Sequence, residues 1–204
     1  MVHIAIVDYG LGNLRSVQNG LLKAGGARAF ITVSPEDLVE ADGIILPGVG
    51  AFRDGMNRLS PLMRNILDVA HDGKPMLGIC LGMQMLFTES EEGGVHLGLD
   101  LIPGRVVRFE GEGKVPHMGW NSIHITRHHP LLDGIEDGTY FYFVHSYYGA
   151  APPAHEIAAC QYLERFSAAV QNREGNVVGT QFHPEKSGDD GLKVLANFIE
   201  MCRR

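Results

Sequence analysis

The sequence predicts an α/β fold: an open, mostly parallel sheet with flanking helices, followed by an additional, partly antiparallel β region in the second half. Two observations support this prediction. In the first part of the 204-residue chain, short β-branched apolar runs alternate with segments of helical periodicity. After about residue 98, the helical segments give way to strand-like runs joined by Gly-containing turns.

Strands and helices alternate in the first half. Apolar runs bounded by turn residues predict buried strands at residues 4–7, 29–33, 43–46 and 76–80. Residues 14–24 and 51–70 have apolar side chains at helical spacing, and Ser34 before Pro35 predicts the start of a third helix. This alternation implies right-handed crossovers and a parallel sheet covered on both faces.

The second half is rich in predicted strands and ends in a helix. The strand-like runs are residues 105–110, 140–148, 157–160, 168–171 and 177–181, and the final helix covers residues 189–201. No repeat, low-complexity tract or linker interrupts the chain. We therefore expect residues 1–204 to form a single domain.

Composition excludes several classes of protein. The 17 basic and 24 acidic residues give a net charge of −7, which argues against nonspecific nucleic-acid binding. We find no apolar run long enough to span a membrane and no signal peptide, so we expect no membrane association and a cytoplasmic location. The three cysteines, Cys80, Cys160 and Cys202, form no CxxC pair, so we expect no metal site and no disulfide framework.

One of these cysteines lies in a segment typical of a nucleophile. Residues 76–86 read as an apolar strand, Cys80 flanked by Gly78 and Gly82, and then a helical pattern. This is the form of a nucleophile elbow, which places the residue in a strained turn at the end of a strand. A helix N-terminus there favours the reactive thiolate. The alternative is a small buried cysteine at a tight turn, which is the commoner fate of an isolated cysteine.

A thiol nucleophile needs a base and a group that orients the base. His183 and Glu185 follow an apolar strand, and alternate residues of an extended segment point to the same side. Pro184 restricts the backbone between them. This spacing predicts a Cys80–His183–Glu185 triad. Alone, the His-Pro-Glu segment is equally compatible with a surface turn.

Oxyanion donors are expected at two places. The amide of Leu81, directly after Cys80, is the first donor that an elbow offers. Residues 47–50 (PGVG) follow another strand and precede a helix, so their backbone can direct amide groups at a developing oxyanion. A plain β–α turn is the alternative for this segment.

Taken together, these motifs resemble the triad (class I) glutamine amidotransferases. The segments concerned are GICLGMQ at 78–84, PGVG at 47–50 and HPE at 183–185. Residues 8–13 (DYGLGN), 114–121 (KVPHMGWN) and 142–147 (YFVHSY) further resemble the glutaminase subunits of imidazole glycerol phosphate synthase, an enzyme of histidine biosynthesis. The resemblance covers nearly the whole chain and implies a flavodoxin-like fold and glutamine hydrolysis without a cofactor.

The resemblance also implies roles for individual residues. Val49 and Gly50 would supply further oxyanion contacts. The substrate glutamine would be bound by Gly48, Gln84, His145, Ser146 and Tyr147.

An acidic residue must also face the α-ammonium group of the substrate. We choose Glu92 from the acidic run Glu89, Glu91 and Glu92. A solvated acidic patch is the commoner reading of such a run.

In such enzymes the ammonia passes to a separate cyclase subunit, a β/α barrel, which makes imidazole glycerol phosphate and aminoimidazole carboxamide ribotide. The implied assembly is a heterodimer, with Asn13, Trp120 and Lys186 on the glutaminase side of the interface. Trp120 is equally compatible with a core aromatic.

Three other functions are also compatible with the sequence. The same chemistry could serve another synthase, such as those that make anthranilate or pyridoxal phosphate. The chain could instead be a γ-glutamyl hydrolase acting alone, or a non-catalytic flavodoxin-like binding module with an inert Cys80.

Overall fold

The computed structural model describes residues 1–203, which contain thirteen strands and six α-helices. The strands are β1 Val2–Val7, β2 Ala27–Thr32, β3 Gly43–Leu46, β4 Met76–Ile79, β5 Phe87–Ser90, β6 His96–Leu97, β7 Ile102–Arg108, β8 His117–Ile125, β9 Tyr140–His145, β10 Tyr147–Ala150, β11 Glu156–Gln161, β12 Arg165–Gln171 and β13 Val177–Thr180. The helices are α1 Leu14–Ala24, α2 Pro35–Glu40, α3 Phe52–Leu59, α4 Met63–His71, α5 Leu81–Met85 and α6 Gly188–Met201.

The helix predicted over residues 51–70 is broken into two. A 3₁₀ turn at Ser60–Leu62 separates α3 from α4. Pro61 lies in this turn, where it has no amide hydrogen to donate to the preceding turn of a continuous helix. The two shorter helices each bury one apolar face.

Nine strands form one large mixed sheet in the order β2-β1-β3-β4-β13-β12-β11-β8-β9. The strands from β2 to β13 in this order are parallel. From β13 to β9 every neighbouring pair is antiparallel. The predicted antiparallel region of the second half is therefore mainly a continuation of the parallel sheet.

The strand predicted over residues 140–148 divides at Ser146 between two sheets. β9 pairs with β8 at the edge of the large sheet, whereas β10 pairs with β7 in a separate four-stranded sheet of order β10-β7-β5-β6. The chain thus crosses from one sheet to the other at residues 145–147. This crossing leaves the backbone of this segment between the two sheets.

The large sheet is buried on both faces. Along β1, Ile4 and Ile6 pack into one apolar core with residues of α1 and α6, and Ala5 and Val7 pack into the other with residues of α2, α3 and α4. This division follows the alternation of side chains along a strand. None of the helices within residues 1–203 is long and apolar enough to cross a lipid bilayer.

The topology brings the sequence motifs to one edge of the sheet. β3, β4 and β13 are adjacent and parallel, so their carboxyl ends lie side by side. Residues 47–50 follow β3, Cys80 follows β4 and residues 181–185 follow β13. This edge is where open α/β sheets bind ligands.

Candidate active site

Cys80 occupies a strained turn between β4 and α5. Its φ of 54° and ψ of −107° lie in a region that residues with a side chain rarely adopt. Its amide donates a 2.8 Å hydrogen bond to the carbonyl oxygen of Thr180 at the end of β13. Two parallel strands therefore hold the backbone of Cys80 in place, with its thiol at the edge of a cavity.

The glycines beside Cys80 allow the close packing of the elbow. A Cβ atom on Gly82 would overlap the carbonyl group of Leu46 at the end of β3. A Cβ on Gly78 would come within 2.7 Å of the backbone of Gly82. Both positions therefore exclude any larger residue, as the elbow motif requires.

His183 and Glu185 form a buried pair. His183 Nδ1 lies 2.8 Å from Glu185 Oε1, and the two side chains are only 3% and 1% exposed. The hydroxyl of Ser187 fixes the backbone here, because it donates to the His183 carbonyl and accepts from the amide of Tyr142. Gly20 of α1 makes room for the carboxylate, since a Cβ there would lie 3.3 Å from Glu185 Cβ.

The electrostatics of His183 favour the charged imidazolium. Burial opposes the charge, but charge interactions with Cys80 and Glu185 and the hydrogen bond to Glu185 outweigh burial and raise the pKa of His183 to about 10. Among the described residues, Nε2 of His183 has no hydrogen-bond partner within bonding geometry. This nitrogen is thus the one that can exchange a proton with a reacting group, while Nδ1 is held by Glu185.

The loop after β3 is packed against the elbow. A Cβ on Gly48 would lie 2.8 Å from Leu81 Cβ and 3.0 Å from the amide nitrogen of Gly82. The hydroxyl of Tyr9 donates a hydrogen bond to the Pro47 carbonyl, and Gly50 has a φ of 111°. Burial first, and then the charge of Cys80, raises the pKa of Tyr9, so this hydroxyl stays protonated.

A cavity of about 310 Å³ opens in front of Cys80, within the range of small-ligand sites. It brings together nine of the site residues expected from the sequence: Val49, Gly50, Cys80, Leu81, Gln84, Glu92, His145, Ser146 and Tyr147. Pro116 and Val144 complete its walls. Gly48, His183 and Glu185 lie outside this lining: Gly48 packs against Leu81 and Gly82, and the His–Glu pair is buried beside the elbow.

Glu92 reaches the cavity from the four-stranded sheet side. Its Oε2 accepts a 2.7 Å hydrogen bond from the amide of Phe52, the first residue of α3. This contact is a partial N-cap, because the amides of a first helical turn have no acceptor within the helix. The carboxylate is thereby anchored to the segment that follows residues 47–50 and still faces the cavity.

Trp120 lies on the surface, although a core position was equally compatible with the sequence. Its side chain is 55% exposed on β8. Its ring faces that of Tyr142 edge-on, with 6.3 Å between the ring centres. The ammonium of Lys186 lies 5.8 Å from the centre of the same Tyr142 ring. Asn13 is exposed at the N-terminus of α1, where its side chain accepts from the amide of Ser16.

Several residues that build the site were not predicted from the sequence. Tyr9, Gln181, His117 and Ser187 act through contacts with residues far away in the chain, and no local motif indicates such contacts. Their position inside or beside residues 8–13, 114–121 and 183–185 was the only feature of the sequence that could have pointed to a role in the site. Residues 1–203 contain no group of three or more His, Cys, Asp or Glu side chains that could hold a metal ion.

Comparison with solved structures identifies the fold. PurLQS from Thermotoga maritima superposes with a TM-score of 0.74 at 21% identity, covering 98% of each chain. The glutaminase domain of Trypanosoma brucei CTPS gives a TM-score of 0.72 at 17% identity, covering all of this chain and 94% of that one. At such identities the likeness concerns the fold alone.

Sequence comparison gives the family. The glutamine amidotransferase class-I model matches residues 5–202. The imidazole glycerol phosphate synthase subunit HisH of Methanosarcina acetivorans is 60% identical over 203 residues, covering 99% of this chain and all of the relative. The HisH subunit of Halobacterium salinarum is 57% identical, covering 98% of this chain and 93% of the relative. The chain therefore belongs to the class-I glutamine amidotransferase family, among the HisH subunits of imidazole glycerol phosphate synthase.

Proposed function

We propose that this protein hydrolyses glutamine to glutamate and ammonia through Cys80, His183 and Glu185, as the glutaminase subunit of imidazole glycerol phosphate synthase. The observation that carries the proposal is the meeting of two features at one sheet edge. Cys80 occupies a strained elbow after β4. The buried His183–Glu185 pair follows the adjacent strand β13, with His183 Nδ1 2.8 Å from Glu185 Oε1. Such an arrangement is that of a thiol nucleophile with an oriented base.

In the first half of the reaction, the Cys80 thiolate attacks the side-chain carbonyl carbon of glutamine. The negative charge that develops on the carbonyl oxygen is bound by the Leu81 amide and by the backbone near Val49 and Gly50, which line the same cavity. The imidazolium of His183 gives its Nε2 proton to the leaving nitrogen. The carbon–nitrogen bond breaks, and the products are ammonia and a γ-glutamyl thioester on Cys80.

In the second half, a water molecule cleaves the thioester. The neutral imidazole of His183 takes a proton from this water, and the hydroxide attacks the thioester carbonyl. Glutamate leaves, and Cys80 and His183 return to the thiolate–imidazolium pair. Glu185 holds the His183 ring through Nδ1 during both halves and stabilises its charged form.

Recognition of glutamine requires partners for its α-ammonium and α-carboxylate groups. Glu92 faces the cavity with one oxygen anchored on the Phe52 amide, so its charge is positioned for the ammonium group. Gln84 and residues 145–147 line the same cavity and offer a side-chain oxygen and backbone groups to the rest of the amino acid. Gly48, packed against Leu81 and Gly82, would support this binding from behind the cavity lining.

The ammonia is used by a second protein. The relatives are named as one subunit of a synthase, which implies a partner subunit for this chain as well. We propose that the partner is a β/α-barrel cyclase in a heterodimer that converts the ammonia into imidazole glycerol phosphate and aminoimidazole carboxamide ribotide in the cytoplasm. Asn13, Trp120 and Lys186 are exposed near the carboxyl edge that bears the triad and would contact this partner.

The proposal is tested by replacing Cys80 and supplying ammonia. The complex of Cys80→Ser with the cyclase should show no glutamine-dependent synthesis, while ammonium salts still support the cyclase reaction. Cys160→Ser is the matched control, because Cys160 lies on β11 away from the cavity and should keep glutamine-dependent synthesis intact. Glutamine hydrolysis by Cys80→Ser at the wild-type rate would refute the assignment.

A further inference from the structure

A chain of buried polar groups runs from β8 to the cavity. His117 Nδ1 lies 3.0 Å from His145 Nε2, and His145 Nδ1 lies 2.9 Å from the carbonyl oxygen of Tyr147. At the other end, Asn121 Nδ2 lies 3.2 Å from His117 Nε2. Both histidines are buried, with 3% and 5% of their surface exposed.

The direction of each hydrogen bond in this chain can be deduced. The Tyr147 carbonyl can only accept, so His145 donates from Nδ1 and accepts at Nε2. His117 must then donate from Nδ1 and accept at Nε2 from the amide of Asn121. Asn121 is fixed in this orientation because its oxygen accepts from the amide of Ser122 and its nitrogen also donates to the carbonyl of Gln161. The Tyr147 carbonyl at one end of this hydrogen-bonded series and the Asn121 amide at the other thus require the same tautomers: both histidines are neutral and carry their proton on Nδ1.

The electrostatics agree with this assignment. Burial lowers the pKa of His117 to about 4 and that of His145 to about 3, so neither ring is charged near neutral pH. A second proton on either ring would place two N–H groups against each other. The Tyr147 carbonyl is therefore held in one position by a neutral, directed chain.

A second branch leads from the same carbonyl to the nucleophile. Gln84 Nε2 donates to Tyr147 O at 2.8 Å and to Gln181 Oε1 at 3.1 Å. Since the Gln84 amide must present its nitrogen to the carbonyl, Gln181 must present its oxygen to Gln84. The Gln181 nitrogen then faces Cys80, with Nε2 3.6 Å from Sγ. Flipping Gln84 would set its oxygen against the Tyr147 carbonyl oxygen, and flipping Gln181 would set its nitrogen against the Gln84 nitrogen, so the network itself fixes both orientations.

We infer that Gln181 is a positioning residue for the nucleophile: its side-chain amide donates a hydrogen bond to the Cys80 sulfur and stabilises the thiolate over the thiol. The inference rests on the proposed function, in which Cys80 attacks glutamine as a thiolate. A donor directed at an ionised group favours its charged form, and a fully buried donor is not screened by water. The carbonyl of Val144, 3.9 Å from the sulfur, would accept from the thiol and repel the thiolate.

Gln181 acts beside the other groups that face Cys80. The charged and titratable groups around the sulfur are His183 before the turn at 184–186, the protonated Tyr9 after β1, the neutral His145 at the end of β9 and the carboxylate of Glu92 across the cavity. Among these, His183 supplies the positive charge. Gln181 adds a neutral donor whose direction does not change with pH.

The test is the pH dependence of Cys80 alkylation by iodoacetamide, a reaction of the thiolate that needs no glutamine. Alkylation is followed at Cys80 by peptide mass spectrometry, because burial raises the pKa of Cys160 and Cys202 to about 12 and keeps them slow. In Gln181→Met, which has no donor, the midpoint of the profile should rise by about one pH unit. The rate below the midpoint should fall about tenfold, with an unchanged plateau at high pH.

Two further variants make the result decisive. Gln181→Asn keeps an amide for Gln84 but is one methylene too short to reach the sulfur, so it should raise the midpoint even if Gln181→Met folds poorly. Gln171→Met, on β12 outside the cavity, is the matched control and should leave the profile unchanged. An unshifted midpoint in folded Gln181→Met or Gln181→Asn would overturn the inference. Glutamine hydrolysis by the wild-type complex tests the proposed function separately.

Discussion

At the scale of single residues, Cys80 is held in a backbone conformation that a residue with a side chain rarely adopts. A residue with a Cβ at a φ of 54° and ψ of −107° carries a strain of about 1–3 kcal/mol. The strain persists because the adjacent strands hold the backbone through the hydrogen bond to Thr180 and the close approach of Gly82 to Leu46. The strain thus lies at the residue that we propose as the nucleophile.

This strain predicts an unusual effect of glycine. Cys80→Gly should be more stable than Cys80→Ala by about 1 kcal/mol, because glycine adopts positive φ without a steric cost. Urea unfolding of the two variants measures the difference. Elsewhere glycine destabilises relative to alanine by a similar amount, so the ordinary order of stability, with Ala above Gly, would contradict the account.

The His183–Glu185 pair predicts a pH effect with a definite sign. Burial lowers the pKa of His183, but Cys80 and Glu185 raise it further, to about 10. The imidazolium is therefore present below that pH and lost above it. Glutaminase kcat/KM should therefore fall on the alkaline side as His183 loses its proton. In Glu185→Gln this alkaline limb should move to lower pH, and kcat should drop by about 10²–10⁴-fold because the ring is no longer held and charged.

The measurement is the pH profile of glutamine hydrolysis by the two complexes. Glu200→Gln is a suitable control, since Glu200 is exposed on α6 and pairs with Arg203. An alkaline limb that stays in place in Glu185→Gln would show that Glu185 does not support the charge on His183.

At the scale of elements, the site depends on how closely α5 approaches the end of β3. Gly82→Ala should destabilise the fold by about 3 kcal/mol or more, since the new methyl group would overlap the Leu46 carbonyl and backbone must move. Gly93→Ala is the matched control: it has a φ of 69° and open space around it, so it should cost only about 1–2 kcal/mol. Chemical unfolding measures both, and equal losses would contradict the close approach.

The elements also show what could be predicted from the sequence. The strand before Cys80, the loop at 47–50 and the segment at 181–185 were predictable because each is a local pattern at the end of an apolar run. The division of residues 140–148 between two sheets was not, because it depends on which distant strands pair with β9 and β10. The role of Gln181 was hidden for the same reason, since its partners Gln84 and Cys80 lie about a hundred residues away.

At the scale of the whole molecule, the sheet gathers distant segments at one edge and leaves an exposed surface beside them. Trp120, Tyr142 and Lys186 lie together there, and Lys186 directly follows Glu185. An exposed tryptophan beside an aromatic ring and a cation has the composition of an interface anchor.

This surface predicts a binding effect without a folding effect. Trp120→Ala should weaken the affinity for the cyclase about 10–100-fold while leaving the thermal stability of the isolated subunit nearly unchanged, since the side chain is 55% exposed. Leu97→Ala, which removes an apolar side chain that is 74% exposed on the four-stranded sheet, should leave the affinity unchanged. Titration calorimetry with the purified cyclase makes the comparison, and equal affinities for wild type and Trp120→Ala would remove this surface from the interface.

On the proposed mechanism, Cys80 is the nucleophile that carries a γ-glutamyl thioester during glutamine hydrolysis. Its most direct test is acid quenching of the complex during turnover, followed by mass spectrometry of the cysteine-containing peptides. We expect a γ-glutamyl group on the Cys80 peptide alone. It should be absent from Cys80→Ser and increased in His183→Ala, where hydrolysis of the thioester is slowed more than its formation. Active turnover with no adduct on Cys80 in any variant, or an adduct on Cys160 or Cys202, would contradict it.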